Sequence, residues 1–88
     1  MGKKRKIERN TYLAGNLKRL RSTYELSQKY IADKLGIERS TYTYYETGKN
    51  EPSINMLSNI LEIYNKSYGL TLSYDDVLCR VWSVKNES

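Results

Sequence analysis

Apolar residues recur along this chain at helical spacing, in short runs broken by Gly, Ser and Pro. Leu13, Leu17, Leu20 and Tyr24 fall at i, i+4, i+7 and i+11, one apolar stripe on a helix over about 12–23. Lys18, Arg19 and Arg21 lie off that stripe. Ser27 is placed to cap a second helix over about 28–35, with Ile31 and Leu35 inward and Gly36 just past its end. Ala32 is small enough to let another helix approach. A third helix over about 39–47 turns Tyr42 and Tyr45 inward and stops at Gly48. Thr and Tyr form helices only moderately well, so packing must hold this one.

Asn50-Glu51-Pro52 reads as a turn, and Ser53 as the cap of a fourth helix over about 54–65. That helix carries two adjoining apolar stripes, Leu57, Leu61 and Tyr64, then Met56, Ile60 and Ile63. Lys66–Thr71 is expected to be a loop around Gly69. Ser73-x-x-Asp76 resembles a capping box and opens a fifth helix bearing Val77, Leu78, Val81 and Trp82. The pattern predicts an all-α, five-helix domain over 12–84, after a basic arm over 1–11 and before a frayed polar tail over 85–88.

Length and composition narrow the chemistry. At 88 residues the chain holds one domain with a thin core. It has no His, hence no imidazole base, no Ser-His or Cys-His pair and no His metal ligand. Cys79, the single Cys, closes no internal disulfide, supplies no Cys-rich metal site and is compatible with a reducing cytoplasm. No base stands beside a nucleophile, so no enzyme, metal or cofactor is expected. The basic run Lys3–Lys6 is not followed by the apolar stretch of a signal peptide, and nothing approaches the roughly 20 apolar residues of a membrane span. The expected location is the cytoplasm. Ten residues follow Leu78, which predicts a module with no effector domain of its own.

The net charge of +5 is unevenly placed: residues 1–50 hold 12 Lys+Arg against 5 Asp+Glu, whereas residues 51–88 hold 3 against 5. One half therefore carries the whole positive excess, as either a footprint for phosphate or a solubilising surface. The Lys3–Lys6 arm fits a groove-binding arm and a disordered tail equally well.

The informative stretch runs from Gln28 to Lys49. Two short helices joined by a tight Gly-containing turn cross steeply, the helix-turn-helix arrangement. The second then shows solvent the polar face Arg39, Ser40, Thr43, Tyr44 and Thr47, and a helix of that width fits the DNA major groove. Here the chain resembles the lambda repressor/Cro-like (XRE) helix-turn-helix domains, over about residues 13–78. The resemblance rests on Leu26-Ser27-Gln28, Ile31-Ala32, Leu35-Gly36-Ile37, Arg39-Ser40-Thr41, Glu46-x-Gly48-Lys49 and Pro52-Ser53. Apolar residues at Ile31, Leu35, Ile37, Tyr42 and Tyr45, the small Ala32 and Gly36 all agree in type with that family. Glu38 departs from it, standing where Ser or Thr usually caps the recognition helix, and so does the longer connection Lys66–Thr71.

The resemblance implies base contacts from Arg39, Ser40, Thr43 and Tyr44, and phosphate contacts from Gln28, Lys49 and Asn50. It also implies an Arg21–Glu46 ion pair tying the first helix to the third. Each has a plainer rival: Arg39 as a surface charge, Tyr44 as packing beside Tyr42 and Tyr45, Ser40 and Thr43 as helix filler. The implied function is sequence-specific binding of double-stranded DNA as a transcriptional regulator, a repressor of prokaryotic or phage type. One module reads few base pairs, so a homodimer is expected, with the second stripe of the fourth helix and the surface around Val81 and Trp82 as candidate faces. Trp82 equally fits a role closing the core over the first helix. The rival function is an antitoxin or adaptor module whose main partner is a protein.

Overall fold

The computed structural model describes residues 12–79 and 81–82; the Lys3–Lys6 arm and the tail over 85–88 lie outside them. Five helices follow one another: α1 (Leu13–Thr23), α2 (Gln28–Leu35), α3 (Arg39–Thr47), α4 (Ile54–Tyr68) and α5 (Tyr74–Leu78). α1 packs on α3 and α5, and α2 packs on α3 and α4. The stripe Leu13, Leu17 and Leu20 meets Ile31, Ala32, Tyr42, Leu57, Ile60, Leu61, Tyr64, Val77 and Trp82 in one core.

The helix ends follow their residues. Ser27 and Ser53 accept the backbone N–H of Tyr30 and Met56, and so cap α2 and α4. Gly36 and Gly48 adopt left-handed φ of 73° and 82°, closing α2 and α3. α1 begins at Leu13, one residue later than the periodicity predicts, with Tyr12 at its cap position.

Two expectations are corrected. α4 runs to Tyr68, past the predicted end near Asn65, because its last turn is held from outside. Tyr68 stacks on Tyr24 with ring centroids 4.0 Å apart, and Gly69 at φ 67° then ends the helix. The predicted loop over 66–71 shrinks accordingly. Asn65 grips the segment that follows α4, its Nδ2 donating to Leu72 O at 3.2 Å and its Oδ1 accepting from Leu72 N at 2.8 Å.

The second correction concerns α5, which ends at Leu78 and carries neither Val81 nor Trp82. In a continuing helix the Trp82 N–H would donate to Leu78 O. Instead it donates to Asn16 Oδ1 at 2.7 Å, while Asn16 Nδ2 donates to Val77 O at 2.9 Å. Asn16 is thus a fully buried polar residue on the apolar stripe of α1, and it fastens the end of the fold to that helix. Trp82 is buried against the core, whereas Val81 is exposed. The second stripe of α4 is also taken up largely within the domain: Ile60 is fully buried, and Met56 and Ile63 pack half-buried on the core.

Candidate nucleic-acid interface

The α2–α3 corner is built by local bonding. Gly36 N donates to Asp33 O, and Ile37 N reaches back to Ala32 O at 3.0 Å, which closes the last turn of α2. The chain then enters α3 through Glu38, whose extended backbone suits a cap although its side chain makes no capping bond. α3 turns Tyr42 fully inward, and Tyr42 meets the half-buried Tyr45 edge to face at 6.2 Å.

What remains outside is the predicted face. Arg39 and Ser40 are exposed at the first turn, Thr43 and Tyr44 are half-buried one turn on, and Thr47 is exposed. Lys49 and Asn50 follow Gly48 as exposed residues, the Asn50 N–H donating to Tyr44 O at 3.3 Å. The Lys49 ammonium lies 4.5 Å from the centre of the Tyr44 ring, a cation–π contact that the spacing did not reveal.

Beneath this face runs a connected polar network. Arg21 on α1 forks onto Glu46, Nε to Oε2 at 2.6 Å and Nη2 to Oε1 at 2.9 Å, with Nη1 on Leu26 O. This is the ion pair implied by the resemblance. Gln28, opening α2, donates from Nε2 to Glu46 Oε1 at 3.0 Å. Its Oε1 accepts from Arg39 Nη1 at 3.1 Å and from Thr43 Oγ1 at 2.8 Å. Two of the four proposed base-reading residues, one proposed phosphate ligand and the ion pair therefore form one assembly, while Ser40 and Tyr44 stand beside it.

The network sets the charge of its members. Burial alone would push the Glu46 carboxyl up, but the hydrogen bonds from Arg21 and Gln28, with the nearby Tyr42 hydroxyl, hold it below the usual carboxylate value. The same pairing with Glu46 raises Arg21. Burial, and then the Glu46 charge, pushes the Tyr42 and Tyr64 phenols far above their ordinary range. Neither buried hydroxyl has a partner at hydrogen-bond geometry among the described residues.

Among the described residues, no cluster of three or more His, Cys, Asp or Glu could hold a metal ion, and no helix is long and apolar enough to cross a membrane. The apolar periodicity does not single out Asn16, the polar residue that fastens the C-terminal segment to α1. Its signal was present: it lies at i+3 from Leu13 and i−4 from Leu20, on the buried stripe.

Comparison with known proteins agrees with this geometry. Residues 17–70 match the family model described as Helix-turn-helix. The chain is 48% identical over 52 residues to the HTH-type transcriptional regulator YqaE of Bacillus subtilis (strain 168), covering 59% of this chain and 45% of that protein. It is 30% identical over 64 residues to an HTH-type transcriptional regulator of Methanocaldococcus jannaschii, covering 73% of this chain and 97% of that protein. It is 33% identical over 63 residues to the antitoxin PezA of Streptococcus pneumoniae, covering 72% of this chain and 40% of that protein. The chain thus spans less than half the length of the Bacillus and Streptococcus relatives. No solved structure matches significantly.

Proposed function

Since the chain belongs to the helix-turn-helix family of lambda repressor/Cro-like (XRE) domains, we propose that it binds double-stranded DNA sequence-specifically as a transcriptional regulator. The observation that carries this reading is the outer face of α3. Arg39, Ser40, Thr43 and Tyr44 stand together on one helix, which the Arg21–Glu46 pair and Gln28 hold against the rest of the domain. α3 lies in the major groove, where Arg39 presents a fork of donors suited to guanine O6 and N7, a contact that discriminates by about 1–3 kcal/mol. Lys49 and Asn50 contact phosphate from beyond the end of the helix. Gln28 does so with the Nε2 hydrogen that Glu46 does not take.

The regulator acts as a repressor, in the cytoplasm and without catalysis. It binds as a homodimer on half-sites about 34 Å apart, because one module spans too few base pairs for sharp selection. Ile54, Tyr74 and Val81 offer exposed apolar surface for pairing.

Fluorescence anisotropy at about 150 mM salt tests the reading, with one duplex from upstream of the protein's own gene and one of scrambled sequence. A sequence reader prefers its site by about 10³-fold or more. Equal, weak binding to that duplex and to pools of random sequence would overturn the proposal. It would favour the second reading, a module whose main partner is another protein, which the similarity to an antitoxin supports. A stable complex with the product of an adjacent gene is the result expected of that alternative.

A further inference from the structure

The hydrogen-bond network under α3 fixes which atoms of its outer face can donate and which can accept. An arginine only donates and an ionised carboxylate only accepts, so a carboxamide placed between the two stands one way round. Gln28 is in that position, with Nε2 on Glu46 Oε1 at 3.0 Å and Oε1 under Arg39 Nη1 at 3.1 Å. Glu46 is kept ionised by the fork of Arg21. Gln28 Oε1 has no hydrogen to give. Thr43 Oγ1, 2.8 Å from it, must therefore direct its single proton inward. A threonine hydroxyl ordinarily rotates to suit its partner. Here it is left facing outward with lone pairs alone.

In the major groove, adenine N6 and cytosine N4 donate, whereas guanine O6 and N7 and thymine O4 accept. Resting on the DNA-binding reading above, we infer that Thr43 is a specificity-determining residue that selects a base bearing an exocyclic amine, and that Gln28 is the positioning residue imposing this choice. A keto edge would meet the outward lone pairs of Thr43 Oγ1 with lone pairs of its own. Since every base pair has an amine edge and a keto edge, the acceptor dictates which strand bears the amine.

The test begins with selection of binding sites from random DNA by the wild-type protein and by Thr43→Val, which keeps the shape and removes the hydroxyl. The position whose preference changes between the two identifies the contact. At that position single atoms are then removed from the wild-type site. Purine for adenine or 2-pyrimidinone for cytosine deletes the amine; 5-methyl-2-pyrimidinone for thymine or 2-aminopurine for guanine deletes the keto oxygen.

Deleting the amine is expected to weaken wild-type binding about two- to tenfold, the worth of one hydrogen bond, and to leave Thr43→Val unchanged. Thr43→Ser retains the amine dependence. Gln28→Met releases the hydroxyl proton and relaxes the preference toward keto bases, with far-UV circular dichroism and the melting temperature as the control for folding. Two results overturn the inference while leaving the DNA-binding reading intact: coupling of Thr43 to the keto oxygen, or a site preference identical in wild type and Thr43→Val. Failure of any sequence to enrich removes the DNA-binding reading itself, and the inference with it.

Discussion

Glu46 has a side chain only 2% exposed and nevertheless carries a charge, because Arg21, itself 16% exposed, meets it with two nitrogens. Removing one partner of so enclosed a pair strands the other, at a cost of about 3–5 kcal/mol. Glu46→Ala is expected to lose stability of that order in urea denaturation, and a loss under about 1 kcal/mol would mean the pair is effectively solvated. The folded protein holds this carboxyl below its ordinary value of 4.5. The stability it contributes is therefore fully present above about pH 4.5 and is lost as pH falls through the lower, folded-state value. Glu46→Gln should accordingly flatten the acid side of the stability profile measured by thermal denaturation from pH 7 downward. An unchanged acid limb would place that titration elsewhere.

At the scale of the helix, α3 is weak at its entry and firm at its exit. Glu38 occupies the cap position without a capping bond, whereas Gly48 ends the helix in a relaxed left-handed turn. Glu38→Ser supplies an oxygen for the free N–H groups of the first turn and should stabilise the domain by about 1 kcal/mol. It also removes a negative charge beside the proposed phosphate path, so DNA affinity should rise with stability; a rise in stability alone would place Glu38 away from the DNA. α5 depends on a different device. Its five residues are too few to hold themselves, and Asn16 secures them through Val77 O and Trp82 N. Asn16→Ala leaves those buried groups unpaired, each costing about 1–3 kcal/mol. Trp82 is the only Trp in the chain, so its fluorescence reports the outcome. A red shift at temperatures where the helical circular dichroism persists is expected, and melting of both signals together would make the C-terminal segment an inseparable part of the core.

For the molecule as a whole, the decisive quantity is the distribution of charge. The first 50 residues carry the entire positive excess and also supply α2, α3 and the residues beyond Gly48 that face the proposed DNA. Binding that neutralises phosphates releases counterions, so affinity should fall steeply between low and physiological salt. Lys49→Ala should reduce the slope of log affinity against log salt by about one, with equal losses on all sequences. If the slope is unchanged, the Lys49 charge is spent on the Tyr44 ring rather than on phosphate.

Much of this protein is legible in one dimension. Apolar residues at helical spacing, caps at Ser27 and Ser53, and glycines at Gly36 and Gly48 mark α2, α3 and the start of α4 to the residue, because those signals act within one or two turns. The outward face of α3 followed from the same periodicity, and the Arg21–Glu46 pair from the resemblance. The end of α4, the stop of α5 and the linkage among Gln28, Arg39, Thr43 and Glu46 could not be read in that way. Tyr68 is held by Tyr24, and Trp82 by Asn16, across 44 and 66 positions of chain. Local propensity is silent on contacts of that range. They exist only once packing has brought α1, α3 and the C-terminal segment together, where a buried polar atom must find a partner wherever in the sequence that partner lies.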